Sequence, residues 1–332
     1  MRNHTKILSF ECCEQRSLMS TVPIQAQLSA EVRRSNIAPA QETLNIPLDE
    51  LKTSYQGRDG GLYGQGRNEP GGALATAAEA AANLVQPSNS RGIPSADGRI
   101  GVLAIGQSTT RMVFDAFRVS ARNVKSSNVV LINGAIDGDG SDDWANRSGP
   151  WTSALKQVNR AGLKASQVQV LWFESALFFP KRYGDFETSN AVYVRHLNAI
   201  VNRATQMFPN LRQVFVSSRY FAGWAKKATS PEPYAYESAF GVRDLVLSRA
   251  PDPADSAWPR AEKPVVLWGP YYWTDGVNPS GIDGLNIGRS DLKADGIHPT
   301  KSGEAKIAAQ LLRFFSENRY THDWFTGLAP NA

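Results

Sequence analysis

Two short stretches carry residue types that can do acyl chemistry. Near the carboxyl end, Asp295-Gly296-Ile297-His298-Pro299 sets a carboxylate three residues before an imidazole. Far upstream, Ile105-Gly106-Gln107-Ser108-Thr109 sets a serine directly after an apolar run. A serine hydroxyl is a weak nucleophile until a base removes its proton during attack. An imidazole can be that base, and a neighbouring carboxylate can fix its tautomer and stabilise its cation. Ser108 is therefore read as the nucleophile, His298 as the base and Asp295 as the group that orients it. Without His298, Ser108 would read as a plain helix N-cap. Acyl transfer also needs donors aimed at the developing oxyanion. A serine at a helix start offers its own N–H, helped by the helix dipole. Gly138, in Ile136-Asp137-Gly138-Asp139-Gly140, lets the backbone come close and offers a second N–H. This chemistry requires no metal and no organic cofactor.

Elements that would position these residues are legible from residue 99 onward. Apolar runs of strand length occur at 100–105, 128–132, 168–173, 212–217 and 264–268. Helical patterns lie between and after them, at 110–124, 152–161, 190–207, 234–249 and 301–318, with Pro209 as a stop and Thr300 as an N-cap. Near-continuous apolar strands alternating with helices predict an α/β fold. The expected form is a three-layer α/β/α sandwich around a mainly parallel five-stranded sheet, flavodoxin-like in type. Ligands of such sheets bind outside the carboxyl ends of the strands. Ser108, Gly138, Ser175 and Arg219 follow the first four strands and His298 follows the loop after the fifth, so all five belong on one rim. Arg219 at that rim is a candidate for binding an anionic part of the substrate or the oxyanion, against the plain reading of a surface arginine.

Residues 1–95 read as a disordered leader and linker. Periodicity is broken there, and glycines cluster at Gly57, Gly60, Gly61, Gly64, Gly66, Gly71 and Gly72. Residues 73–84 are the exception, with the pattern of a short helix. The folded domain is expected over 96–320, with a tail at 321–332. Both cysteines, Cys12 and Cys13, lie in the leader, so no disulfide framework or zinc spacing can be built.

Of the 332 residues, 42% are hydrophobic and 20% charged, enough to bury a large core. The net charge of +5 comes from scattered lysines and arginines with no long basic run, which argues against nucleic acid as a partner. No apolar run is long enough to span a membrane. Asp137, Asp139, Asp142 and Asp143 imitate a calcium loop. Asp142 stands where that loop needs glycine, and Ser148 where it needs glutamate, so they are read as turn residues and no metal site is expected. His196 and His322 are read as surface and tail residues.

Three stretches together resemble the SGNH (GDSL-like) hydrolase superfamily, over about residues 99–317. Gly106-Gln107-Ser108 resembles its first block, in the G-Q-S form of carbohydrate O-acetylesterases. Asn133-Gly134-Ala135-Ile136-Asp137-Gly138-Asp139 resembles the second, with the block's glycine on Gly138. Asp295-Gly296-Ile297-His298-Pro299 matches the D-x-x-H-P block. The resemblance implies a serine esterase with the triad Ser108, His298 and Asp295, acting on an ester such as an O-acetyl group on a carbohydrate. Acyl transfer to a sugar hydroxyl uses the same triad. The rival from another class is a surface or carbohydrate-binding protein on a retired hydrolase scaffold. One departure matters. The third block normally supplies an asparagine amide to the oxyanion, and the corresponding Trp172-Phe173-Glu174-Ser175-Ala176 has none. Ser175 or Arg219 is expected to stand in, or the hole has two donors only. Residues 217–224 and 231–238 resemble a bacterial branch of the superfamily, and no function comes with that likeness. Phe10 to Ser20 resembles the F-E-x-L-E-x-R-x-L-x-S leader of exported proteins, with Cys13 in a leucine position. It implies an exported or cell-surface protein; a ragged terminus on a cytoplasmic one is the alternative.

Overall fold

The computed structural model describes residues 46–252, 263–280 and 283–328. A minimal hairpin, β1 (Ser54–Tyr55) and β2 (Arg58–Asp59), and helix α1 (Gly72–Asn83) precede the main sheet. The five apolar runs become β3 (Ile100–Gly106), β4 (Val129–Asn133), β5 (Val168–Glu174), β6 (Gln213–Ser217) and β7 (Val265–Trp268). All four pairings are parallel, in the order β4-β3-β5-β6-β7. Counted within this sheet alone, that is the flavodoxin-like order. The chain steps outward from β3 to β4, then returns past β3 to β5. The crevice at this reversal opens beyond the carboxyl ends of β3 and β5, where ligands of such sheets bind.

Helices follow the strands: α2 (Ser108–Ser120), the short α3 (Ser141–Asn146), α4 (Gly149–Arg160), α5 (Phe186–Met207), α6 (Tyr234–Ser248), α7 (Lys301–Glu317) and α8 (His322–Thr326). Phe114 of α2 stacks on Trp172 of β5 at 5.8 Å, and Phe314 of α7 meets Phe215 of β6 edge-on at 5.1 Å. Trp172 and Phe215 are register partners, so α2 and α7 cover the same face. Between them Phe117 stacks on Phe315 at 5.5 Å. Helices α4, α5 and α6 cover the other face. Most boundaries fall within two residues of the sequence reading. Helix α5 starts earlier, because Asp185 caps it by accepting the Thr188 N–H at 2.8 Å.

The boundary expected near residue 95 is wrong for the described part of that segment. Leu48, Leu51, Leu62, Tyr63, Leu74, Ala77, Ala78, Ala81 and Val85 are all buried and belong to the single hydrophobic core. The segment lies over β7. Trp268 donates its Nε1–H to the Leu62 carbonyl at 2.5 Å, and Leu48 donates its N–H to the Tyr271 hydroxyl at 2.9 Å. An edge strand normally shows some solvent exposure, and β4 does so at Val130 and Asn133. At the opposite edge every residue of β7 is buried, because residues 46–85 cover it. The glycines here serve two needs: a Cβ on Gly60 would sit 1.9 Å from the Leu51 carbonyl oxygen, whereas Gly57, Gly66 and Gly72 have open space and take a positive φ.

The tail also corrects the reading. Residues 321–328 include α8, whose Trp324 and Phe325 are buried against Phe315. Residues 1–45, with the Phe10–Ser20 leader motif and both cysteines, lie outside the described residues, as do 329–332.

Candidate active site

The nucleophile turn is set by the end of β3. Gly106 has φ +140°, and a Cβ there would lie 2.1 Å from the Glu174 carbonyl oxygen. Only glycine allows the strand to turn so close to its neighbour. The turn is fixed from outside as well: Trp144 donates its Nε1–H to the Gly106 carbonyl at 3.1 Å, and Trp151 donates to the Trp144 carbonyl at 2.7 Å. Ser108 is then the first residue of α2, with Gln107 as N-cap. Its N–H is one of the helix donors with no partner inside the helix.

Residues 291–300 bring the imidazole to this point. Gly296 has φ +70°, and a Cβ there would lie 1.8 Å from the Trp224 carbonyl oxygen. The Lys293 N–H donates to the His298 carbonyl at 2.8 Å, the Lys226 N–H to the Asp295 carbonyl at 3.0 Å, and the Tyr220 hydroxyl to the Ile297 carbonyl. Thr300 caps α7 by accepting the Gly303 N–H. Buried Asp291 anchors the base of the loop, accepting from Ser302 Oγ at 2.8 Å and from Lys306 Nζ at 2.7 Å.

Ser108 Oγ lies 2.8 Å from His298 Nε2, and His298 Nδ1 lies 2.7 Å from Asp295 Oδ2. With the Nδ1 hydrogen donated to the carboxylate, Nε2 is left to accept the serine proton. Ser108 stands 187 or more positions from the other two in the chain, and all three are half-buried. Burial opposes the charge on Asp295. The Ile297 N–H, the His298 ring and the His298 N–H outweigh it and hold the carboxyl at about 2.

Gly138 lies exposed in the loop after β4, with φ +84°. The Ile136 N–H donates to the Gly106 carbonyl at 2.9 Å, pinning this loop to the nucleophile turn. Arg111, one helical turn beyond Ser108, grips Asp137 with two bonds of 2.6 and 2.9 Å and so braces the residue before Gly138. The remaining acids of this loop also face arginines: Asp139 and Asp143 pair with Arg147, and Asp142 with Arg182. No group of three metal-ligating side chains is gathered among the described residues.

Two candidates for the missing asparagine do not reach the surface. Ser175 is 1% exposed, and its Oγ is buried with no hydrogen-bond partner among the described residues. Arg219 is 2% exposed, and its Nη1 lies 3.7 Å from Glu174 Oε1. A buried guanidinium needs a countercharge, and Glu174 supplies it inside the protein. Arg219 as a residue that contacts substrate, or as a surface arginine, is therefore corrected. Among the described residues, neither the Ser108 nor the Gly138 backbone N–H has an acceptor.

His196 is not a plain surface residue either: it is half-buried, lies 3.2 Å from Ser141 Oγ, and burial pushes its pKa down. Sequence reasoning missed Glu174, Arg111 and Tyr220. Glu174 carried a signal, as a carboxylate closing an otherwise apolar strand.

No family model and no curated protein sequence matches this chain. Among solved structures, it is similar to Axe2, an acetylxylan esterase from Geobacillus stearothermophilus, at 13% identity and a TM-score of 0.38, over 64% of this chain and 93% of that one. A lipase from a goat rumen metagenome aligns at 13% identity and a TM-score of 0.37, over 64% and 95%. The acetyl xylan esterase AlAXEase aligns at 11% and 0.38, over 64% and 98%. At such scores the likeness adds nothing to the site, which stands on the distances above.

Proposed function

We propose that the protein is a serine ester hydrolase. One observation carries this reading: the relay Ser108 Oγ, His298 Nε2, His298 Nδ1, Asp295 Oδ2, with steps of 2.8 and 2.7 Å, on the switch-point rim of a parallel sheet. The Ser108 hydroxyl attacks the ester carbonyl while its proton passes to Nε2. The oxyanion forms against the N–H groups of Ser108 and Gly138. His298 returns the proton to the departing alcohol, leaving an acyl group on Ser108 Oγ. Water, deprotonated by Nε2, then attacks that acyl group and frees the serine. Asp295 stays a carboxylate throughout and holds the ring in one tautomer.

The substrate class is an O-acetyl ester on a carbohydrate, a reading that rests on the Gly106-Gln107-Ser108 block. The test is a fluorophosphonate probe together with an activated acetyl ester. The wild-type protein is expected to take up one probe per chain, at Ser108, and to release acetate. Protein that does neither is a binding protein on this scaffold. Added sugar acceptors that lower acetate release without lowering ester consumption would make the activity acyl transfer.

A further inference from the structure

The nucleophile turn rests on a buried polar cluster that the reaction itself does not use. Glu174, the last residue of β5, is 3% exposed. Its Oε1 accepts the Gln107 Nε2–H at 3.1 Å. Its Oε2 accepts the hydroxyls of Thr109 at 3.0 Å and Thr110 at 2.9 Å. These donors flank Ser108 on both sides, one residue before it and one and two residues after. Thr110 has one hydroxyl hydrogen, which it shares between Glu174 Oε2 and the Glu174 backbone carbonyl at 2.7 Å, and the Ala176 N–H donates back to Gln107 Oε1 at 3.1 Å. The end of β5 therefore grips the turn through both its side chain and its main chain. Gln107, Thr109 and Thr110 are each as deeply buried as Glu174.

Nothing about the fold alone calls for a carboxylate here. The preceding residues of β5, Val170 to Phe173, are apolar and packed, and an apolar side chain could end the strand equally well. Burying a carboxylate is costly even beside a partner, and Arg219 Nη1 at 3.7 Å offsets only part of that. What the carboxylate adds is direction. Three donors held at fixed angles leave the backbone of residues 107–110 one arrangement, and Ser108 hangs from that backbone.

We propose that Glu174 is a positioning residue for the esterase reaction, with Arg219 as its counter-ion. It holds the nucleophile turn so that Ser108 Oγ stays within reach of His298 while the Ser108 N–H faces the oxyanion. The strand end expected to send an asparagine donor toward substrate sends an acceptor beneath the nucleophile instead. This role rests on the esterase reading above, and the wild-type control separates the two.

The test replaces the ion pair by apolar groups of similar volume, in the double variant Glu174→Leu/Arg219→Met. Such exchanges are often neutral or stabilising for the fold. A purely structural role therefore predicts a folded protein with unchanged turnover. The positioning role predicts a folded protein whose kcat on an activated acetyl ester falls about a hundredfold with KM unchanged, the loss typical of a misplacement of about 1 Å. Fluorophosphonate labelling should slow in parallel. A second variant, Thr109→Val/Thr110→Val, keeps the ion pair and removes two of the three donors. It should lower kcat per folded molecule about tenfold, with a lower melting temperature because a buried carboxylate loses two donors, and it decides the matter if the first variant does not fold. Wild-type kcat and KM in either folded variant would overturn the role of Glu174 and leave the esterase reading intact. An inactive, unlabelled wild type would overturn both.

Discussion

Two irregular segments close this molecule, and they are held in opposite ways. Residues 291–300 carry His298 and are tied down by polar bonds: the two N–H groups donated to Asp295, the Tyr220 hydroxyl on the Ile297 carbonyl, and the buried Asp291 anchor. Residues 46–72 are tied down mainly by apolar burial over β7, through Leu48, Leu51, Leu62 and Tyr63. Both use glycine for the same purpose. A Cβ would meet a carbonyl oxygen at 1.8 Å on Gly296 and at 1.9 Å on Gly60. The difference teaches that glycine content does not separate a loose segment from a packed one. Polar anchoring fixes a position and suits a reacting group. Apolar anchoring supplies stability and asks little of geometry. Damage to the first segment should appear in turnover, and damage to the second in stability.

The largest effect should come from the reacting atom itself. Ser108→Ala should lower turnover by about four to six orders of magnitude and abolish probe labelling. Its melting temperature should match the wild type, because a half-buried hydroxyl is lost and nothing else. A large loss of stability would mean that Ser108 serves the fold. Asp295→Asn should cost about 10⁴ in kcat, since an amide favours the wrong ring tautomer. Retention of a tenth of the activity would place the orienting role elsewhere.

Gly296→Ala sharpens the contrast within the same segment. The new methyl group must push the loop from the Trp224 carbonyl, and φ +70° strains any residue with a Cβ. A displacement of about 1 Å at His298 predicts about a hundredfold lower kcat/KM. Steady-state kinetics on a folded sample checks it. In the covering segment, Leu48→Ala should do the reverse. Removing a fully buried leucine costs about 2–5 kcal/mol, read as a lower denaturant midpoint, while kcat per folded molecule holds. Mild proteolysis should likewise leave residues 46–95 on the stable core. Rapid cleavage between 57 and 72 in the native protein would return that stretch to the status of a linker.

The smallest effect concerns acid. The Asp295 carboxyl sits at about 2 in the folded protein, below its ordinary value. A depressed carboxyl contributes stability that is present above about pH 4 and is lost as pH falls to about 2. Asp295 is half exposed, so the contribution is small, and Asp295→Asn should flatten the acid limb of the stability curve only within that window.

Much of this was readable before any coordinates. Strand period, helix period and turn chemistry are local properties, so the five strands, the helices after them and the Thr300 cap could be placed from residue types alone. The pair Asp295 and His298 was equally local, and Ser108 stood out because a serine between an apolar strand and a helix has few roles. What the tertiary structure decided depends on partners distant in the chain. Leu48 finds Tyr271, and Glu174 finds Gln107, Thr109 and Thr110. Arg219 reads as a rim residue by sequence position. It is buried because Glu174 waits inside, a fact stored in neither residue's surroundings along the chain. Residues 46–72 lack any repeat because they follow the shape of an edge strand and two helices instead of forming a layer of their own. Periodicity reports how an element is built; which surface it must cover is settled only when the other elements have taken their places.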